Sequence, residues 1–297
     1  MKYQVSIIIP TINREDKLKQ TLYCLEKQIT VTFEILVIYQ SEFNQFNIDI
    51  FPDNVSFIKS HNESASAARN IGIRNSKSDI LLFIDDDVLI KNQYFVYNHH
   101  RHYIDKNISG VVGRSFDKYD TPISYSRTSR SFNHIVGFFY YPKNYGVNTF
   151  VNSGRSNNLS VRKNIAIAVG GMDENYTRGA HREETDFCLR VSKKYGLFLY
   201  DANATLIHLN EPLGGIRSWN DSNYIKAKHN MVGAIYFDLK MAPTKFRLEY
   251  FLATLRYLIL NKTILIRPQL YYTVITRVIN SFITAYKAHK SGPKYLN

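Results

Sequence analysis

The sequence predicts an α/β fold, a parallel sheet flanked by helices, with an amphipathic helical tail behind it. Three observations carry this. Short continuous apolar runs alternate with longer stretches of helical periodicity, as in βαβ units. Two of the runs end in Pro-Thr and in an aspartate triplet, where parallel sheets of this kind open into a ligand crevice. From residue 244 onward only helical periodicity remains. With 297 residues, 44% of them hydrophobic and 21% charged, the chain can bury a sizeable core, which excludes wholesale disorder.

Taken in order, Val5-Ser6-Ile7-Ile8-Ile9 is a largely β-branched run closed by Pro10, which predicts a buried strand with a loop after it. Leu18, Leu22 and Leu25, spaced by four and three, predict a helix over 14–28. Phe33 to Ile38 and Val55 to Ile58 read as the next two strands. Ser64 to Ser76, rich in alanine and poor in breakers, reads as a helix. Ile80-Leu81-Leu82-Phe83-Ile84 is a fourth strand that runs straight into Asp85-Asp86-Asp87. From Phe116 to Phe150, where ten of 35 residues are Phe or Tyr, neither period holds. An aromatic insertion, as a long loop or a small hairpin, is expected there. Regular structure resumes at Asn158 to Arg162. Gly170-Gly171 is a turn, Glu183 to Lys194 an amphipathic helix, and Ala204 to Leu209 a strand.

The tail carries two apolar stripes. Leu248, Phe251, Leu252, Leu255, Leu258 and Ile259 form the first; Tyr271, Val274, Ile275, Val278, Phe282 and Tyr286 form the second. We therefore expect one domain over 1–243 and a helical extension over 244–297. The formal charge of +13 divides unevenly: nine basic residues against Glu249 alone place +8 in the extension. Such an excess implies an anionic partner. Amphipathic helices with basic polar faces suit an anionic membrane surface; docking on the domain or on a second subunit, as a homodimer, is the other reading. No apolar stretch reaches the length of a transmembrane helix, and the run after Met1-Lys2-Tyr3-Gln4 is too short for a signal peptide. Two cysteines, Cys24 and Cys188, build no disulfide framework and fit a reducing compartment.

Three consecutive aspartates at a strand end repel one another, and a divalent cation relieves this; all-oxygen ligands suit Mg²⁺ or Mn²⁺. A cation so held, with open positions, is what a diphosphate leaving group needs. A solvated acidic turn is the alternative for the triplet alone.

Ser6-Ile7-Ile8-Ile9-Pro10-Thr11-Ile12-Asn13-Arg14 resembles the opening of family 2 glycosyltransferases. Asn62, Ala67-Ala68-Arg69-Asn70-Ile71-Gly72-Ile73 and Leu82-Phe83-Ile84-Asp85-Asp86-Asp87 resemble its middle blocks. Gly170-Gly171-Met172-Asp173-Glu174 and Glu183-Glu184-Thr185-Asp186-Phe187-Cys188-Leu189-Arg190 resemble its acceptor-side blocks. The resemblance covers about residues 4 to 210 in five ordered blocks. It implies a GT-A fold, a mixed and mainly parallel sheet, and transfer of a sugar from a nucleotide-sugar donor to an acceptor hydroxyl, usually with inversion.

Carried over by position, Pro10, Thr11 and Arg14 lie beside the nucleotide, with Asn62 in the same region and Arg69 near the phosphates or ribose. Asp85 faces the ribose or donor beside Asp86, and Asp87 holds a Mn²⁺ or Mg²⁺ ion bridging the diphosphate. His208 falls where some relatives have a histidine near the metal. Glu184 stands where the family usually has the Asp of its Glu-Asp pair, the base that takes the acceptor proton. Glu183 is its neighbour, and Asp186 is the second candidate. Tyr39 replaces an Asp that commonly bonds the nucleotide base, which puts uracil recognition in question.

His181, before the Glu pair, is a further donor or acceptor contact. Gly214 to Trp219 reads as a loop closing over the donor. The function so implied is an inverting, metal-dependent glycosyltransferase of surface polysaccharide or glycoconjugate synthesis. It would act on a glycan or lipid-linked acceptor at the cytoplasmic face of the membrane. A catalytically impaired relative serving as a glycan-binding or scaffold subunit is the alternative. Nucleic acid is not an expected partner, since no binding motif accompanies the charge. A dinucleotide dehydrogenase is excluded because no G-x-G-x-x-G follows the first strand.

Overall fold

Three buried strands, β1 (Val5–Thr11), β2 (Phe33–Tyr39) and β4 (Ile80–Ile84), and the more open edge strand β3 (Val55–Lys59) pair in parallel in the order β3-β2-β1-β4. They belong to a computed structural model that describes residues 2–40, 51–120, 132–133, 138–139, 144–178, 181–211, 227–259, 266 and 268–296. The near-continuous apolar sequence of β1, β2 and β4 follows from burial on both faces. Ile7 and Ile9 point into one core with Leu18, Leu22 and Leu25 of α1 (Glu15–Glu26). Ile8 points into the other, under Ala68 and Ile73 of α2 (Ala65–Asn75). α1 begins with Glu15 and Asp16, which suit its positive end. Ser64 caps α2 by accepting a hydrogen bond from the Ala67 amide. Gly72 lets α2 approach β1 closely, since a Cβ there would sit 2.4 Å from Ile8 Cγ2.

The second half of the sheet is mixed. After β5 (Val88–Leu89), the short α3 (Phe95–His100) leads to β6 (Gly110–Asp117). Two-residue strands β7 (Phe132–Asn133) and β8 (Phe138–Phe139) pair antiparallel, so the expected aromatic insertion contains a hairpin pairing. The rest of 121–143 lies outside the described residues, as does Trp219. β9 (Thr149–Val151), β10 (Asn158–Arg162) and β11 (Phe198–His208) complete the sheet, in the full order β3-β2-β1-β4-β10-β6-β11-β5 with β9 on β11. Strands β1, β2, β3, β4, β6 and β11 run one way, and β5, β9 and β10 the other. The carboxyl ends of β1, β2, β4, β6 and β11 therefore share one edge.

α4 (Lys163–Ala168) and α5 (Glu183–Tyr195) cover the same face as α2, with Phe187, Cys188 and Val191 of α5 in that core. A third core joins α6 (Lys228–Met241), α7 (Arg247–Ile259) and α8 (Tyr271–Ser291). α6 shows no amphipathic stripe in the sequence because it is buried all round from Met231 to Asp238. The two predicted tail stripes divide. Tyr250, Thr254 and Leu258 of α7, and Val274, Val278, Ser281 and Ala285 of α8, face inward, while Leu248, Leu252, Ile275 and Tyr286 stay exposed. Beyond α8 the chain returns to the Gly170 turn: the Leu296 amide donates to the Gly170 carbonyl at 2.7 Å, and the Lys294 amide to Asp173 Oδ1 at 3.0 Å.

Candidate active site

The chain steps outward from β1 to β2 and β3, then returns on the other side of β1 as β4. This reversal opens a crevice at the carboxyl ends of β1 and β4, where open α/β sheets bind ligands. Thr11 ends β1 there and the aspartate triplet follows β4.

The three carboxylates have three different partners. Asp86 accepts from Thr11 Oγ1 at 2.7 Å and from Arg14 Nη1 at 3.2 Å. Burial pushes its carboxyl up to about 7, against Arg14 and Thr11. Asp87 lies 3.2 Å from Arg14 Nη1, accepts from the Glu211 amide at 3.1 Å, and has Oδ1 3.1 Å from His208 Nε2. Burial would raise its pKa, but His208, Arg14 and the Glu211 amide outweigh burial and hold it below the usual carboxylate range. Asp85, more open, faces Arg69 Nη2 at 3.1 Å and His208 Nε2 at 3.6 Å.

His208 comes from the last position of β11, in register with Asp117 at the end of β6. Its Nδ1 lies 3.8 Å from Asp117 Oδ1. Burial alone would lower the imidazole pKa, yet Asp117, Asp87 and Asp85 together raise it to about 9. Asp85, Asp87 and His208 offer three ligand atoms within 4.8 Å of one another. The imidazolium thus fills a place that a divalent cation could take by displacing its proton. Two carboxylates and an imidazole nitrogen fit Mn²⁺ at least as well as Mg²⁺. Asp87 Oδ1 is buried and receives no well-aligned hydrogen bond, which is consistent with a ligand atom.

Arg69, buried on α2, ties this end of the crevice to α5. Its Nη1 donates to Glu183 Oε1 at 2.6 Å while Nη2 holds Asp85. Burial would lower the guanidinium pKa, but Glu183, Asp85 and Glu184 raise it. Glu183 also accepts from Ser66 Oγ at 2.9 Å; burial pushes its carboxyl up and Arg69 opposes that. Glu184 is only half-buried, and its carboxylate is close enough to help hold Arg69 charged. The helix is entered through Arg182 at φ 74°, a left-handed conformation rare for a side-chain-bearing residue. Asn13 after β1 and Asn210 after β11 share positive φ, so three such residues frame the crevice.

Asp186 points away into a buried network, with Oδ2 2.9 Å from Arg190 Nη2 and Oδ1 2.8 Å from Lys240 Nζ. Lys240 also meets Asp173 at 2.7 Å. Arg190 further donates to the carbonyls of Val169 and Gly171. Pro10 and Tyr39 are half-buried at the crevice edge, Tyr39 in register with Thr11. Asn62 is exposed in the turn before α2, and His181 meets the Tyr257 hydroxyl at 3.3 Å. The sequence reading did not single out Asp117 and Glu211. Asp117 ends a strand at the same edge, which was the available signal; the Glu211 amide acts through its backbone and leaves none.

Residues 6–163 match the model of a family described as Glycosyl transferase family 2. Over 87 residues the chain is 34% identical to an uncharacterized glycosyltransferase of Haemophilus influenzae, covering 28% of this chain and 29% of that protein. Over 156 residues it is 27% identical to Glycosyltransferase GlyA of Streptococcus pneumoniae, covering 48% of this chain and 20% of that protein. These alignments therefore span less than a third of either relative.

Among solved structures, the mannosyltransferase PcManGT from Pyrobaculum calidifontis, in complex with GDP-Man and Mn²⁺, superposes with a TM-score of 0.56 at 11% identity. That match covers 98% of this chain and 76% of the other. GalNAc-T7 with UDP, GalNAc and Mn²⁺ gives 0.59 at 12% identity, over 84% and 54%. At such identities the likeness is one of fold, and it agrees with the GT-A architecture expected from the sequence.

Proposed function

Since the chain belongs to glycosyl transferase family 2, we propose that it moves a sugar from a nucleotide-sugar to an acceptor hydroxyl with inversion. The observation that carries this is the convergence of Asp85, Asp87 and His208 at the β1/β4 crevice, with Glu184 next to it across Arg69. The donor lies across the carboxyl ends of β1 and β4, with Thr11, Arg14 and Tyr39 on its nucleotide side. Asp85, Asp87 and His208 would hold Mn²⁺ or Mg²⁺, which neutralises charge on the departing diphosphate. Arg69 stands ready on the same side as a fixed cation.

Glu184 accepts the acceptor proton as the new oxygen–carbon bond forms on the face opposite the leaving group. The bond from the anomeric carbon to the diphosphate oxygen breaks, and the nucleoside diphosphate leaves with that electron pair. Glu183, locked by Arg69 and Ser66, positions α5 rather than exchanging protons. The acceptor is a glycan or lipid-linked saccharide of surface polysaccharide synthesis, met at the cytoplasmic membrane face. Mn²⁺ is seen with bound donor components in both similar structures, which supports the cation reading.

The test follows nucleoside diphosphate release from a panel of nucleotide-sugars with Mn²⁺. Asp87→Asn is expected to lower turnover by about a hundredfold or more, since several kcal/mol of charge stabilisation is lost. Unchanged turnover in that variant would overturn the assignment.

A further inference from the structure

The C-terminal helices carry a continuous apolar surface on their outer side. Tyr272, Ile275, Ile279, Phe282, Ile283 and Tyr286 of α8 are exposed, Ile279 by 54% and Tyr272 by 79%. At helical spacing they fall within an arc of about 100° and a length of about 21 Å, beside the inward face. Leu248, Phe251 and Leu252 continue the surface on α7, Leu248 being 66% exposed. The Phe251 ring meets Phe282 at 6.2 Å, and Phe282 stacks on Tyr286 at 6.3 Å, so the two strips are joined. Of the 20 exposed large apolar side chains among the described residues, 11 lie between Leu248 and Tyr286. Scattered exposed apolar residues are ordinary; a concentration like this marks a contact surface.

Charge selects what covers it. The segment holds nine basic residues and Glu249 alone, with Lys287 and Lys290 exposed beside the strip. A second copy would bring two segments of the same basic sign together, whereas anionic headgroups would neutralise Lys287 and Lys290 beside the strip. We infer that this face of α7 and α8 seats on an anionic bilayer, with its apolar side chains at the acyl boundary and Lys287 and Lys290 at the headgroups. The contact is a surface one, since no described helix is long and apolar enough to cross a membrane. Its consequence rests on the proposed function: a transferase held this way works beside lipid-borne acceptors.

Flotation of the full chain tests this with phosphatidylcholine vesicles and with vesicles of two parts phosphatidylcholine to one part phosphatidylglycerol. The wild type is expected to float with the anionic vesicles and stay behind with the neutral ones. The combined variant Leu252→Ser, Ile279→Ser, Ile283→Ser should bind about a hundredfold more weakly. Lys287→Gln with Lys290→Gln, exposed positions that leave the fold alone, should lose about thirtyfold.

Flotation indifferent to lipid charge, or no flotation, overturns the inference. A dimer that the serine variant splits would name a second copy as the occupant instead. Donor turnover is measured on the same preparations without vesicles. Turnover without flotation sinks the membrane contact alone, and flotation without turnover sinks the transferase reading alone.

Discussion

Replacing Glu183 by glutamine is expected to cost stability, and replacing Glu184 to cost chemistry, although the two are neighbours on α5. Glu183 lies 2.6 Å from Arg69 Nη1 and 2.9 Å from Ser66 Oγ, with both charged side chains nearly fully buried. Removing one partner of a buried pair costs about 3–5 kcal/mol. Here Asp85 remains 3.1 Å from Arg69 and an amide still accepts from Ser66, so the lower end, about 3 kcal/mol, applies. A chain of 297 residues has an unfolding entropy of about 0.6 kcal/mol/K, so the thermal midpoint should fall by about 5 °C. Glu184, half-buried and without so buried a partner, should leave the midpoint within about 1 °C when changed to Gln, while turnover drops by about 10²–10⁴. Thermal unfolding by circular dichroism and nucleoside diphosphate release, run on both variants, decide the matter. Equal loss of stability in the two, or full turnover in Glu184→Gln, would refute the division of roles.

His99 and Asp201 should each withdraw stability in acid, in two steps, while Asp86 and Glu183, whose carboxyls burial raises, act the opposite way. Burial lowers the His99 imidazole to about 4, and Asp201 is held at about 2 because His102, the Asn203 amide and Arg101 outweigh its burial. Both groups bind fewer protons folded than unfolded, so their stabilisation is complete above about pH 6.5. It falls by about 3 kcal/mol as His99 titrates from pH 6.5 to 4, and by about 2 kcal/mol more as Asp201 does from pH 4 to 2. A stability difference between wild type and His99→Asn that does not change between pH 7 and 4 would contradict this. Lys240→Met should cost about 3–5 kcal/mol, because it leaves the buried carboxylates of Asp173 and Asp186 facing each other unpaired by lysine. A midpoint within about 1 °C of wild type would show that Arg190 on Asp186, and the Tyr236 hydroxyl with the Asn175 and Lys294 amides on Asp173, suffice without the lysine.

Strands β1, β2 and β4 were legible because burial on both faces turns a strand into an unbroken apolar run, and α1 because it keeps one wet side. The crevice was legible because its acidic residues follow such a run directly. α6 was not, since a helix buried all round has no stripe to read. β11 begins at Phe198, earlier than Ala204, because Asp201 and Asn203 look like turn residues; a register shift between Asp201 and Thr205 absorbs them. The tail stripes of α7 and α8 show that an apolar face can be recognised from spacing while its cover cannot. Val278 and Ile279 are adjacent and equally apolar, and only packing against α6 separates them. The difference between Glu183, Glu184 and Asp186 was equally hidden, for it depends on Arg69 and Lys240, which lie far away in the chain.

A nucleotide-sugar and a divalent cation should bind together where Asp85, Asp87 and His208 meet. Thermal unfolding of wild type and Asp87→Asn with a panel of nucleotide-sugars, each with and without Mn²⁺, measures this directly. At about a hundred times its dissociation constant a donor adds about 2.7 kcal/mol, which raises the midpoint by about 4 °C. That rise is expected for at least one donor, in wild type, only with Mn²⁺. No rise with any donor, or the same rise in Asp87→Asn or without the metal, would contradict it.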